Sequence, residues 1–223
     1  MMDFAHAREQ MVRQQLIPRG IRDPAVLEGM RAVAREQFVP DRLVDAAYED
    51  GPLPIGGGQT ISQPYIVALM IQALELSDSD RVLEVGTGSG YAAAVTSYAA
   101  AEVYTIERDA QLAKAAKEQL ERIDRHNVHI QVGDGTLGWP EQAPFHAIVV
   151  TAGAPEVPQP LLGQLSVGGR LVVPVGGSGL SGQELLRLRR VSADEVRRES
   201  LGAVRFVPLV GAAGWKPAEF GQR

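Results

Sequence analysis

Four side chains sit where this chain could hold a ligand. Glu84 opens EVGTGSG (84–90), in which Gly86, Gly88 and Gly90 recur at every second position. Glu107 closes the apolar run EVYTIE, and Asp134 lies in VGDG, followed by Gly135. Ser62 stands in GGGQTISQPY (56–65), just after Gln59, Thr60 and Ile61. Alternating glycines let a backbone come close to a bound molecule. A dinucleotide loop reads G-x-G-x-x-G and presents a helix N-terminus to pyrophosphate. Here the spacing is G-x-G-x-G, and the carboxylate of Glu84 suits a cation better than a phosphate. Glu107 falls at about the distance past the loop at which an acid meets ribose hydroxyls. Asp134 can accept a hydrogen bond from the amino group of adenine.

Each of these has a plainer reading. The glycines could make a tight turn with no ligand. Glu107 could be a solvated strand-end charge, Asp134 a turn residue and Glu84 a helix-dipole partner. Ser62 could simply cap the helix that begins near Pro64. All of them being plain together is a poor account of three acids at three consecutive strand ends.

The elements that must position these residues follow from the pattern. The first 75 residues read as helical, with Asp23-Pro24 as a helix start and PLPIGGGQ (52–59) as an interruption. Pro64 reopens a helix. From Arg81 the pattern changes to short apolar runs: RVLEVG, EVYTIE (102–107), VHIQVGD (128–134), FHAIVVT (145–151) and GRLVVPVG (169–176). Between them lie an alanine-rich helix, an amphipathic helix at 109–123 capped by Asp109, and a short helix at 158–165. ELLRLRRV (184–191) and AVRFVPLVG (203–211) read as antiparallel edge strands.

This order predicts an α/β fold: a Rossmann-like, doubly wound, mostly parallel sheet with antiparallel C-terminal edge strands and an N-terminal helical extension. Residues 1–75 form that extension within one domain, with 56–65 as a lid. Residues 76–215 form the cofactor-binding core, and 216–223 a frayed tail.

S-adenosylmethionine carries a sulfonium and an ammonium group and no phosphate, so it suits this loop. The E-x-G-x-G-x-G pattern matches Rossmann-like methyltransferases. Methyl transfer from a sulfonium needs alignment of the nucleophile, and a base only if that nucleophile is protonated. A carboxylate is already ionised at pH 7. The histidines His6, His126, His129 and His146 read as surface or packing residues. After the fourth strand, TAGAP (151–155) is small and non-polar apart from Thr151, unlike the polar motif of amide and base methyltransferases.

Composition narrows the partners. The 223 residues carry a net charge of −5, with arginines scattered and no basic block, which disfavours nucleic acid. There is no cysteine, no signal-like N-terminus and no apolar run of spanning length. The expectation is a cytoplasmic monomer with no membrane partner and no metal.

The chain resembles the protein-L-isoaspartate O-methyltransferases. The resemblance rests on GQTISQPY (58–65), LEVGTGSGY (83–91), VGDG (132–135), TAGAP (151–155), GGRLVVPVG (168–176) and FVPLVG (206–211), in the family's order. GQTISQPY is the most specific of these.

The resemblance implies transfer of the cofactor methyl to the free α-carboxylate of an L-isoaspartyl residue, and repair through a succinimide. It implies Ser62 as the active-site residue, with Thr60 and Ile61 lining cofactor and substrate. Gly86, Gly88 and Gly90 would form the cofactor loop beside Glu84. Glu107 would bind ribose, and Asp134 with Gly135 would take the adenine side. Gln59 and Val210 would join Ser62 around the substrate. The chain departs from the family at LSVGG (165–169), a surface turn.

Residues alone leave two other readings: a methyltransferase for another carboxylate, a small molecule or RNA, and a binding module without catalysis. The intact T-I-S segment argues against the module.

Overall fold

The computed structural model describes residues 3–177 and 182–216. Helices α1 (Phe4–Met11) and α2 (Pro24–Ala32) come first. The Asp23 carboxylate accepts from the amides of Ala25 and Val26, and Pro24 fills the first turn, so α2 starts as expected. Next comes a β-hairpin that the helical reading of this region missed. β1 (Leu53–Gly56) pairs antiparallel with β2 (Gln59–Ile61). Its tip, Gly56, Gly57 and Gly58, has φ of 103°, 57° and 71°, a region L side chains rarely adopt. The glycines that read as an interruption are the turn of this hairpin.

Helix α3 (Pro64–Ala73) follows. Its N-cap is Gln63, and no side chain caps its first turn, so the capping role considered for Ser62 is not used. The core then alternates: β3 (Arg81–Val85), α4 (Tyr91–Thr96), β4 (Glu102–Glu107), α5 (Ala110–Arg122), β5 (Val128–Val132), β6 (Phe145–Val150), α6 (Gln159–Gln164), β7 (Leu165–Gly176), β8 (Gln183–Arg190) and β9 (Val196–Val204). Asp109 caps α5 by accepting from Gln111 and Leu112 amides.

The seven-stranded sheet has the order β5-β4-β3-β6-β7-β8-β9. The first five strands are parallel, and β8 and β9 run antiparallel at one edge. β4 and β5 are added on one side of β3 and β6 and β7 on the other, which makes a switch point at the carboxyl ends of β3 and β6.

The last strand departs from the expectation at 203–211. β9 is VRRESLGAV (196–204), almost wholly exposed and rich in charge, so it lacks the apolar signal that marks a strand. The apolar FVPLV segment makes only isolated bridges, Gly153 with Pro208 and Val210 with Trp215. The expected frayed tail falls mostly at 217–223, outside the described residues.

The N-terminal region shares a core with the sheet helices. Met11, Leu16, Val26 and Met30 cluster with Val67, Ile71, Tyr91 and Val95. Arg35 is fully buried there, its guanidinium 4.9 Å from the centre of the Tyr91 ring and its Nε donating to Ala47 O at 2.7 Å. It braces Tyr91, the residue directly after the glycine loop.

Candidate active site

The loop after β3 is shaped by its neighbours. Thr151, at the end of β6, donates its hydroxyl to Gly86 O at 2.6 Å and lies 3.0 Å from Val85 O. Gly86 has φ 99°, and a Cβ there would lie 2.4 Å from Thr151 Oγ1, so no other residue fits. Glu107 accepts from the Gly88 amide at 2.9 Å and from the Asp109 amide at 3.0 Å, one on each carboxylate oxygen. It is only 6% exposed yet lines a cavity, with lone pairs left to accept further donors. Gly90 starts α4 in a left-handed conformation and does not face a cavity.

Three cavities meet above this loop. A deep, mostly apolar pocket runs beside Ile61, Ser62, Thr87 and Tyr91. A cavity of about 450 Å³ lies between Glu107, Gly135 and the segment Val207–Val210. A groove of about 520 Å³ runs along Ser62, Gln63 and Phe206. Thr60 and Thr151 line all three, and Ser62 lines the pocket and the groove.

The roof has two parts. The hairpin lies against the loop: a Cβ on Gly88 would meet Ile55 Cδ1 at 3.3 Å, and one on Gly57 would meet Asp109 Oδ2 at 3.2 Å. The segment after β9 crosses the ends of β6 and β5. Gly153 donates to Val207 O and accepts from the Leu209 amide, both at 2.8 Å. Trp215 Nε1 donates to Gly153 O at 2.9 Å. The Ala212 amide donates to Asp134 Oδ2 at 2.7 Å and the Ala213 amide to Thr136 Oγ1 at 3.0 Å. Arg108 reaches Val210 O at 3.4 Å.

Most of the expected residues converge here: Gln59, Thr60, Ile61, Ser62, Gly86, Gly88, Glu107, Gly135 and Val210 all line a cavity. Five differ in detail, Gly90 among them as described above. Glu84 lines none. It is fully buried, and Oε2 accepts from Thr105 Oγ1 at 2.6 Å while Oε1 has no partner. Burial pushes its carboxyl up to about 8, so it is neutral at pH 7 and offers no charge to a cation.

Asp134 also lines no cavity. Its Oδ1 accepts from the amide and hydroxyl of Thr136, and its Oδ2 holds the roof through Ala212. Burial opposes its charge, but the Thr136 and Ala212 bonds outweigh that and hold its carboxyl below the usual value. Gln59 and Val210, expected around a substrate, line the Glu107 cavity rather than the groove.

Thr151, Thr87, Tyr91 and Arg108 were not singled out as site residues. Thr151 and Arg108 both follow directly on a strand's carboxyl end, and that position was the available signal. No histidine lines these three cavities. Among the described residues no group of three or more His, Asp or Glu could hold a metal ion, and no helix is long and apolar enough to cross a membrane.

Known proteins resemble this chain in sequence and fold. A sequence model of the protein-L-isoaspartate(D-aspartate) O-methyltransferase family matches residues 6–214. The chain is 63% identical to protein-L-isoaspartate O-methyltransferase 2 of Pelobacter propionicus, over 94% of this chain and 93% of that one. It is 61% identical to protein-L-isoaspartate O-methyltransferase 1 of Geotalea uraniireducens, over 96% and 97%. A solved protein-L-isoaspartate O-methyltransferase superposes with a TM-score of 0.83 at 30% identity, covering 93% of this chain and 67% of that one. A Plasmodium falciparum protein of the same description, in complex with S-adenosyl-L-homocysteine, gives a TM-score of 0.76 at 25% identity, over 94% and 99%.

Proposed function

Because the chain belongs to the protein-L-isoaspartate(D-aspartate) O-methyltransferase family, we propose that it methylates the free α-carboxylate of L-isoaspartyl residues in proteins, using S-adenosyl-L-methionine. The supporting observation is the meeting of three cavities at Thr60 and Thr151, with Ser62 at the joint. Two of the cavities fit a cofactor and the third fits a peptide.

The residues present suit that cofactor. Glu107 is an anionic acceptor pinned by two amides, as a ribose diol requires. Gly135 and Ile106 flank the same cavity on the adenine side, with Asp134 beside them tied to Thr136 and to the roof. Gly86, Gly88 and Ile61 leave room for the amino-acid end. When bound, the cofactor supplies an electrophilic methyl group on a sulfonium.

The chain's own part is positioning. Ser62 is half-buried and makes no hydrogen bond within the described chain, so its hydroxyl is free to hold a carboxylate. Thr60 and Thr151 border the same point. The roof over the Glu107 cavity shields part of it from solvent, which favours polar contacts made beneath it. A carboxylate nucleophile is ionised at pH 7 and needs no base, consistent with three cavities without histidine. The charge of −5 supports a protein rather than a nucleic-acid partner, and a cytoplasmic monomer completes this reading.

A matched pair of peptides, one isoaspartyl and one aspartyl, tests it with radiolabelled cofactor. Base-labile label on the isoaspartyl peptide alone is expected. Equal labelling of both, or of neither, overturns the reading.

A further inference from the structure

The groove beside Ser62 carries one feature that methyl transfer does not use. Among the described residues lining it, Arg205 alone is charged. It is exposed, and it makes no hydrogen bond or ion pair with any described residue. Its neighbours in the antiparallel edge are different. Arg187 pairs with Glu75 at 2.6 Å and with Glu199, and Arg189 pairs with Glu75. Arg190 donates to Leu165 O at 2.6 Å, and Arg197 pairs with Glu195 at 3.2 Å. This edge of the sheet satisfies its arginines internally, and the one that faces the groove is left for something else.

Its place in the groove says what that is. The reacting carboxylate belongs where Thr60, Ser62 and Thr151 border the cofactor cavities, and Arg205 lines the groove only. A guanidinium held directly on the reacting carboxylate would also oppose the reaction. It would favour the negative charge that esterification removes, and so stabilise the ground state over the transition state. The cation therefore faces residues that flank the reacting one. The other described residues of its walls are uncharged, so none of them pairs with the guanidinium.

We propose that Arg205 is a specificity-determining residue that selects segments carrying a second carboxylate, from an Asp or Glu beside the isoaspartyl residue. The inference rests on the isoaspartyl reading above and names the substrates that site prefers.

Isoaspartyl peptides differing only in a flanking Glu, Gln or Lys, placed before or after the damaged residue, test it. Steady-state kinetics are read for the unaltered protein, R205Q and R205E. Binding of the same peptides is read by calorimetry with S-adenosyl-L-homocysteine present, so the charge preference is seen without turnover. The unaltered protein should favour Glu over Gln by roughly threefold to fivefold, carried by KM with kcat unchanged and shrinking with added salt. R205Q should level the series, and R205E should invert it. Equal KM and affinity across the series in the unaltered protein would overturn the inference. So would R205Q lowering kcat equally for every peptide, which marks a role at the reacting carboxylate. Failure to methylate any isoaspartyl peptide defeats the functional reading instead, and the binding series then decides Arg205 separately.

Discussion

The floor and the roof of the cofactor cavity are built by different means. The floor is the loop after β3 with the end of β4. Its acids are buried: the Gly88 amide to Glu107 and Thr105 to Glu84 tie β3 and its loop to β4, and the Asp109 amide closes the end of β4 onto Glu107. The first two cannot part without separating β3 and its loop from β4. The roof is a hairpin and the segment after β9. It is held by a few bonds from the end of the chain to Asp134, Thr136 and Gly153. Its residues are mostly half-exposed. Such a strap can open locally at a small fraction of the global stability, while the floor stays formed. A site that must admit a cofactor and then enclose it needs one surface of each kind.

Two acids express the difference in opposite pH behaviour. Glu84 in the floor has its carboxyl raised to about 8 by burial, from an ordinary 4.5. The folded chain then holds a proton that the unfolded chain has lost. Stability from this group is full below 4.5 and declines as pH rises toward 8. Glu84→Gln mimics the neutral acid and keeps an acceptor for Thr105. Its denaturation free energy should lack a decline on the order of 4 kcal/mol that the unaltered chain shows across that range. Parallel pH profiles from urea titrations would show that Glu84 is ionised in the floor and break the contrast.

Glu107 tests whether the floor also binds. Removing its carboxylate in Glu107→Ala deletes an anionic acceptor and leaves the Gly88 and Asp109 amides unpaired. Cofactor affinity should fall by about 1–3 kcal/mol, with thermal stability falling as well. Calorimetry showing unchanged affinity would take Glu107 out of the site and leave it a structural staple.

The sequence showed the floor more clearly than the roof, for the same reason. Gly86 and Glu107 sit at the ends of consecutive parallel strands, where a positive φ and amides needing an acceptor recur, so their spacing along the chain pointed to them. The strands around them are buried on both faces and read as apolar runs. The roof answers to contacts between distant parts of the chain. Nothing near Asp134 announces that Ala212, 78 residues on, will use it. Its VGDG setting matched a base-binding position equally well. β9 was misplaced because an exposed, charged edge strand carries no burial pattern, and the apolar FVPLV beside it was taken in its stead. The tip of the β1–β2 hairpin looked like an interrupted helix because three glycines mark a break without saying which kind.

Asp134→Asn gives the smallest effect and the sharpest test of the roof. The substitution keeps an oxygen for Thr136 but turns a donor toward the Ala212 amide, so the tie to the last turn is lost. The Asp134 carboxyl is held below its ordinary 3.8, so its stabilisation persists through neutral pH and fades only as pH falls past that value. Its pH sign is thus opposite to that of Glu84. Near neutrality Asp134→Asn should weaken cofactor affinity by about 1 kcal/mol, through a faster off-rate, and leave global unfolding nearly unchanged. Amide exchange should quicken at 207–215 and stay slow in β3 and β4. Equal loss of protection in floor and roof would mean that the two open together, and the strap would then be part of the core rather than a cover on it.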